Sequence, residues 1–257
     1  MKCGQLYYQA LSDAVTLYWR KPGNAPAQAE YDVFLDGRQV GTVCRTQLTI
    51  EHLEPDRAYH AEVRQAGRPL GECRAQTRPA PRRLDVRSFG ASGDGMTMDT
   101  SPLQNAIDAC GPGAEVYLPK GVYRTGALRL HGDMALHLDA GAVLQGTDRP
   151  EDYLPRIHSR FEGIEQECYS SLLNLGQLDH SSGPNCRNVL IYGRGTISSG
   201  GQVLARRVID LERERLRDYL AENAGLVASC ENGHTIPGRV RPRLINLSIV
   251  RMCVSPA

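Results

Sequence analysis

The feature that most constrains this chain is a series of strand-like runs too short to stand alone. Apolar segments of two to four residues, at 115–118, 127–130, 135–138, 143–145, 172–175, 189–192, 196–197 and 244–247, are separated by glycine turns. A run of that length offers only one or two side chains to either face, so it cannot enclose a core by itself. Stacked as successive turns of a coil, such runs share one continuous interior, which is the logic of a solenoid.

A coil of this kind has an open end that needs a cover. Ser101-Pro102-Leu103-Gln104 offers a capping serine, a proline at the first helical position and a glutamine three residues after the cap. Leu103, Ala106, Ile107 and Cys110 then follow helical spacing, and Gly111-Pro112-Gly113 ends the pattern. The spacing predicts an amphipathic helix that plugs the coil. A second helical stretch, 202–223, places Leu204, Val208, Leu211, Leu216 and Tyr219 on one side and charged residues on the other. It reads as a long insertion, and insertions in solenoids gather on one side, often near the binding face.

Residues 1–78 follow a different grammar. Val15, Leu17 and Trp19 alternate with polar positions, and Tyr31, Val33 and Leu35 alternate before the hairpin signal Asp36-Gly37. Further strand signals follow at 39–44, 48–53, 59–63 and 70–75, a density that suits a β-sandwich with Trp19 in its core. The proline-stiffened stretch 79–84 reads as a linker, so the predicted organisation is a sandwich over 1–78 and a coil over 85–257.

Charge excludes some partners. The 30 basic and 29 acidic residues leave a net charge of +1, so no field of one sign draws the chain to nucleic acid or an anionic membrane. The amino end lacks the apolar run of a signal peptide and no segment is long enough to span a bilayer, which gives a cytoplasmic reading. The eight cysteines are scattered without C-x-x-C or zinc spacing and read as free thiols.

Two resemblances sharpen the picture. Leu53-Glu54-Pro55-Asp56-Arg57-Ala58-Tyr59 resembles the tyrosine corner of fibronectin type III domains, in which the hydroxyl bonds back to nearby backbone. Such a unit is expected to be a spacer or packing domain rather than a sugar-binding module, because its only tryptophan sits in an alternating core pattern. From about 85 to 248 the ordered series Phe89-Gly90-Ala91-Ser92-Gly93-Asp94-Gly95, Asp99-Thr100, Val116-Tyr117-Leu118-Pro119-Lys120-Gly121-Val122-Tyr123 and Leu136-x-Leu138-Asp139-x-Gly141-Ala142 resembles the amino-terminal rungs of glycoside hydrolase family 28, the polygalacturonases. The segments 159–163, 193–197 and 241–245 are similar to the exo-acting branch.

The resemblance implies an all-β architecture: a fibronectin type III-like sandwich followed by the first rungs of a right-handed parallel β-helix of pectin lyase type, with a capping helix. It also implies inverting hydrolysis of α-1,4-linked galacturonan, with pectin fragments or galacturonan oligosaccharides as partners and with arginine or lysine holding the uronate carboxylates. The family's Asn-x-Asp, Asp-Asp, His-Gly and Arg-x-Lys motifs belong to later rungs, so no catalytic, cofactor-binding or metal residue is assigned and the chain is expected to be an inactive, truncated form. His131-Gly132 and Gly93-Asp94-Gly95 read as turns, Arg160 and Glu162 as pairing residues on a loop bordering the cleft, and Asp139, Asp148 and Asp152 as structural or solvated. A pectate lyase-like fragment and a non-catalytic carbohydrate-binding β-helix are the alternatives. Finally, one set of codons that can encode Ser248 to Ala257 reads, with a single C restored in the Ser248 codon, Ser-Asn-Cys-Gln-Asn-Val-Cys-Ile-Ser-Gly, whose last nine residues repeat Asn185 to Gly193 at six of nine positions. The tail is therefore expected to be an out-of-frame reading of the next rung.

Overall fold

A computed structural model of the chain describes residues 6–161, 163–179, 181, 185–228, 240–248 and 250–251. It contains two compact units, one ending at Pro81 and one beginning at Arg82.

The first unit is a sandwich of seven antiparallel strands: β1 (Tyr7–Ala10), β2 (Ala14–Tyr18), β3 (Tyr31–Leu35), β4 (Arg38–Val43), β5 (Gln47–Glu51), β6 (Ala58–Gln65) and β7 (Arg68–Gln76). One sheet has the order β1-β2-β5 and the other β4-β3-β6-β7. The period-2 pattern does the work expected of it, because Val15, Leu17, Tyr31, Val33, Ala61 and Val63 all face one buried core. Trp19 lies in that core at 7% exposure, edge-on to Tyr31. At the β3–β4 hairpin both Asp36 and Gly37 have positive φ, the conformation that lets a two-residue turn match strand twist. The tyrosine corner is formed: the Glu54 amide donates to the Tyr59 hydroxyl at 2.8 Å.

The second unit is a parallel β-helix. Its strands are β8 (Arg82–Asp85), β9 (Asp94–Met98), β10 (Ala114–Leu118), β11 (Gly121–Thr125), β12 (Leu128–Leu130), β13 (Met134–Leu138), β14 (Ala142–Gly146), the pair β15 (Ile157–Phe161) and β16 (Ile164–Cys168), then β17 (Leu173–Leu175), β18 (Cys186–Arg187), β19 (Val189–Gly193), β20 (Thr196–Ser198), β21 (Ile245–Leu247) and β22 (Val250–Arg251). Three parallel sheets form the walls, ordered β8-β10-β13-β19, β9-β11-β14-β20 and β12-β17-β21. Register stacks like on like: Val116 pairs with Leu136 and then Ile191, and Leu128 pairs with Leu173 and then Ile245. The inward side chains of all three sheets make one apolar column.

Several expectations need correcting. The linker is shorter than 79–84, because Arg82 to Leu84 already belong to β8, whose amides and carbonyls are taken up by β10. Helix α1 (Thr100–Asp108) starts two residues early, with Asp99 rather than Ser101 at its N-cap. Asp99 makes no capping bond because its carboxylate is claimed by the amides of Ser92 at 2.7 Å and Gly93 at 3.0 Å. Gln104 is likewise diverted: its side chain accepts from the Arg129 amide and donates to the Arg129 carbonyl, both at 3.0 Å, clasping α1 to β12. The buried face of α1 does pack into the column through Leu103, Ala106 and Ile107.

Among the described residues the insertion forms three helices, α2 (Gly201–Arg215), α3 (Arg217–Glu222) and α4 (Ala224–Ala228). Its first turns are seated: Leu204 and Val208 pack with Tyr153, Tyr169 and Leu172, whereas Leu211 and Tyr219 are exposed. Instead of an apolar residue, Glu212 is buried beyond Val208, paired with Arg156 and Arg215. Residues 252–257, which carry most of the shifted-frame expectation, lie outside the described residues. No described helix is long and apolar enough to cross a membrane.

On the outward side of the first parallel sheet Glu115 is fully buried. Arg83 Nε donates to it at 2.8 Å, His137 Nδ1 lies 3.4 Å away, and the Tyr192 hydroxyl donates as well. Burial pushes its carboxyl up, but the bonds from His137, Tyr192 and Arg83 outweigh that and hold it below its ordinary value. A depressed carboxyl stabilises the fold above its unfolded titration, and that contribution disappears as pH falls through the folded value. The Glu115→Gln variant should therefore lose stability less steeply than the parent below about pH 4. Superimposable acid-unfolding profiles by circular dichroism would contradict this role.

Candidate functional site

The third parallel sheet differs from the other two in what leads into it. The connection 147–172, from β14 to β17, and the connection 199–244, from β20 to β21, are both long, and both deliver the chain to this sheet. The turns between β10 and β11 and between β13 and β14 are only a few residues. Extra structure is therefore concentrated along one wall, as expected for the face that meets a ligand.

Each strand of this wall is an apolar–polar–apolar triplet. Leu128, Leu130, Leu173 and Leu175 point into the column, so strand alternation sends Arg129, Asn174 and Asn246 outward, and the register makes them neighbours. Asn174 is locked in place: its Nδ2 donates to the carbonyls of Leu128 (3.0 Å) and Ser171 (2.7 Å), and its Oδ1 accepts from the Ser171 amide. Asn246 ties the β15–β16 hairpin to the wall, with Oδ1 accepting from Ser159 Oγ at 3.0 Å and from Arg243 at 3.1 Å. Arg243 also donates to the Arg160 carbonyl.

The hairpin and the wall enclose a concavity of about 210 Å³. Arg129, His158, Asn174, Gln177, Asn246 and Ser248 supply its polar lining, and no acidic side chain of the described residues lines it. A second concavity of about 330 Å³ lies alongside, bordered by Gln104, Asp108, Leu154, Pro155 and Ile157, and it shares Arg129 with the first.

The residues singled out from the sequence are not brought together here. Arg160 pairs with Glu165 across the hairpin, and Glu162 lies outside the described residues. Asp139 accepts from the Tyr117 hydroxyl and the Ala140 amide, which hold its carboxyl below its ordinary value. Asp148 pairs with Arg207 at 2.9 Å, and Asp152 sits on the 3-10 turn Pro150–Tyr153 with its carbonyl taking the Ala127 amide. None of the three aspartates lines either concavity. His131 is in a turn, with its two ring nitrogens near the carbonyls of Gly132 and Ile107. Sequence reasoning missed the Arg129–Asn174–Asn246 row; its signal is the repeated triplet Leu-Arg-Leu, Leu-Asn-Leu, Ile-Asn-Leu.

Residues 84–129 match the family model described as rhamnogalacturonase A/epimerase, pectate lyase-like. An exo-poly-alpha-D-galacturonosidase of Dickeya chrysanthemi is 39% identical over 125 residues, which are 49% of this chain and 21% of that protein. The family 28 exopolygalacturonase of Yersinia enterocolitica superposes with a TM-score of 0.66 at 28% identity, covering 76% of this chain and 40% of that one. The chain is similar to part of the family 28 exopolygalacturonases. The chain spans less than half the length of either relative. Its similarity extends to the mannuronan C5-epimerase AlgE4 of Azotobacter vinelandii, 32% identical over 118 residues, 45% of this chain and 20% of that one.

Proposed function

We propose that this chain is part of a protein that acts on pectic galacturonan, by hydrolysis of α-1,4-galacturonosyl linkages, and that the outward face of the third sheet is where the polymer lies. The similarity to the Dickeya and Yersinia proteins supports the reaction class. The observation that carries the choice of face is the concavity that the β15–β16 hairpin builds against that sheet, with no acidic side chain among the described residues that line it. A polyuronate brings one carboxylate per sugar, and a lining of arginine, histidine, amides and a hydroxyl offers donors without like-charge repulsion.

Inverting hydrolysis needs two carboxyl groups set about 6.5–9.5 Å apart across the scissile bond, one to protonate the leaving oxygen and one to activate water. Among the described residues no such pair stands on this face; Asp108, in the larger concavity, is the one carboxylate there, held by Gln104 Nε2 at 2.7 Å. The purified 257-residue chain should accordingly release no reducing ends from polygalacturonate above a protein-free blank. Sustained release by a preparation of verified sequence would overturn this and redirect attention to Asp108 and Asp152.

A further inference from the structure

We infer that Arg129 is a carboxylate anchor for an acidic sugar, at the margin of the third sheet that lies next to helix α1. The inference rests on the polyuronate reading above, and it adds a residue and an atom to that reading.

The position of Arg129 is fixed before any ligand arrives. It is the outward residue of β12, and the Gln104 side chain holds both its amide and its carbonyl. The guanidinium itself has no hydrogen-bond or ion-pair partner among the described residues. Four other arginines near this wall are occupied: Arg160 by Glu165, Arg156 by Glu212, Arg207 by Asp148, and Arg243 by Asn246 and the Arg160 carbonyl. Among the described lining residues of the two concavities Arg129 is the one arginine, and it lines both.

Its surroundings suit a uronic sugar rather than a simple anion. On one side lie His158, Asn174 and Gln177, with no acidic lining residue among the described residues. The nearest hairpin acids, Glu165 and Glu167, face His158 from the opposite strand at 3.9 and 3.4 Å. On the other side Leu154, Pro155 and Ile157 offer an apolar bank, with Leu154 half exposed. A pyranose ring has an apolar face of C–H groups and a rim of hydroxyls, and a planar guanidinium donates two parallel N–H bonds to a carboxylate. Asp108, the acid on that bank, is already engaged by Gln104.

The test is binding of trigalacturonate to the full chain, followed by isothermal titration and by amide shifts in NMR, with trimannuronate and neutral trigalactose as comparisons. Arg129→Gln should weaken trigalacturonate binding by about tenfold or more, the loss expected for one charge-assisted bidentate contact. Arg129→Lys should recover part of it, and amide shifts should centre on Arg129, Asn174 and Gln177. Equal binding by parent and Arg129→Gln overturns the anchor while leaving the galacturonan reading intact. Trimannuronate binding that depends on Arg129, without trigalacturonate binding, upholds the anchor and overturns galacturonan as the polymer. Equal binding of trigalactose, or binding of neither acid, overturns the anchor.

Discussion

Replacing Trp19 with alanine should destabilise the amino-terminal sandwich by about 3–5 kcal/mol, the usual cost of emptying a buried indole site. The indole lies against Tyr31 with ring centroids 5.5 Å apart, and it shares the core with Val15, Leu17, Val33 and Ala61. Trp19 directly follows β2, which ladder bonds to β1 and β5 hold on both sides, so the backbone there has little freedom to close over the space. Hydrogen exchange of the intact chain reports the loss unit by unit. Amides of β2, β3 and β6 should exchange faster in the Trp19→Ala variant. Unchanged protection there would remove Trp19 from the core.

Leu136→Ala tests the other unit and should cost about 2–5 kcal/mol. Leu136 is 1% exposed and sits between Val116 and Ile191 in the stacked column. In a solenoid each rung is stabilised through its neighbours, so a cavity in the middle rung removes contacts above and below it. Protection should fall together in β10, β13 and β19, with the sandwich strands unaffected. A loss confined to β13 would mean that the rungs do not share one cooperative interior.

Much of this architecture was legible because it rests on local rules. Alternation located Trp19, Tyr31 and Val33 in a core, and Asp36-Gly37 announced its hairpin. The helical face of α1 followed from the spacing of Leu103, Ala106 and Ile107. The failures have a common cause, which is competition from residues distant in sequence. Asp99 displaced Ser101 as the helix cap, yet spends its carboxylate on the Ser92 and Gly93 amides, and Gln104 serves β12 instead of a capping box. The α2 stripe looked uniform in sequence, but Arg156 supplied a partner that made burial of Glu212 tolerable. The β15–β16 pair, with His158, Arg160, Glu165 and Glu167 in it, reads as a polar loop until the strands are seen to pair antiparallel. The Arg129–Asn174–Asn246 row was hardest to see, because the connections that align it differ greatly in length and no sequence period marks it.

The corner between the first two walls is as tight as the corner before the third wall is loose. At Gly193, with φ +117, an added Cβ would lie 2.0 Å from the Leu138 carbonyl of the rung below. Mutation at such a corner strikes the scaffold at once, whereas added or lost residues between β14 and β17 or between β20 and β21 leave the stacked column intact. Variation in a lineage built on this plan is therefore channelled to a single seam, where it alters what the protein grips and spares what holds it upright.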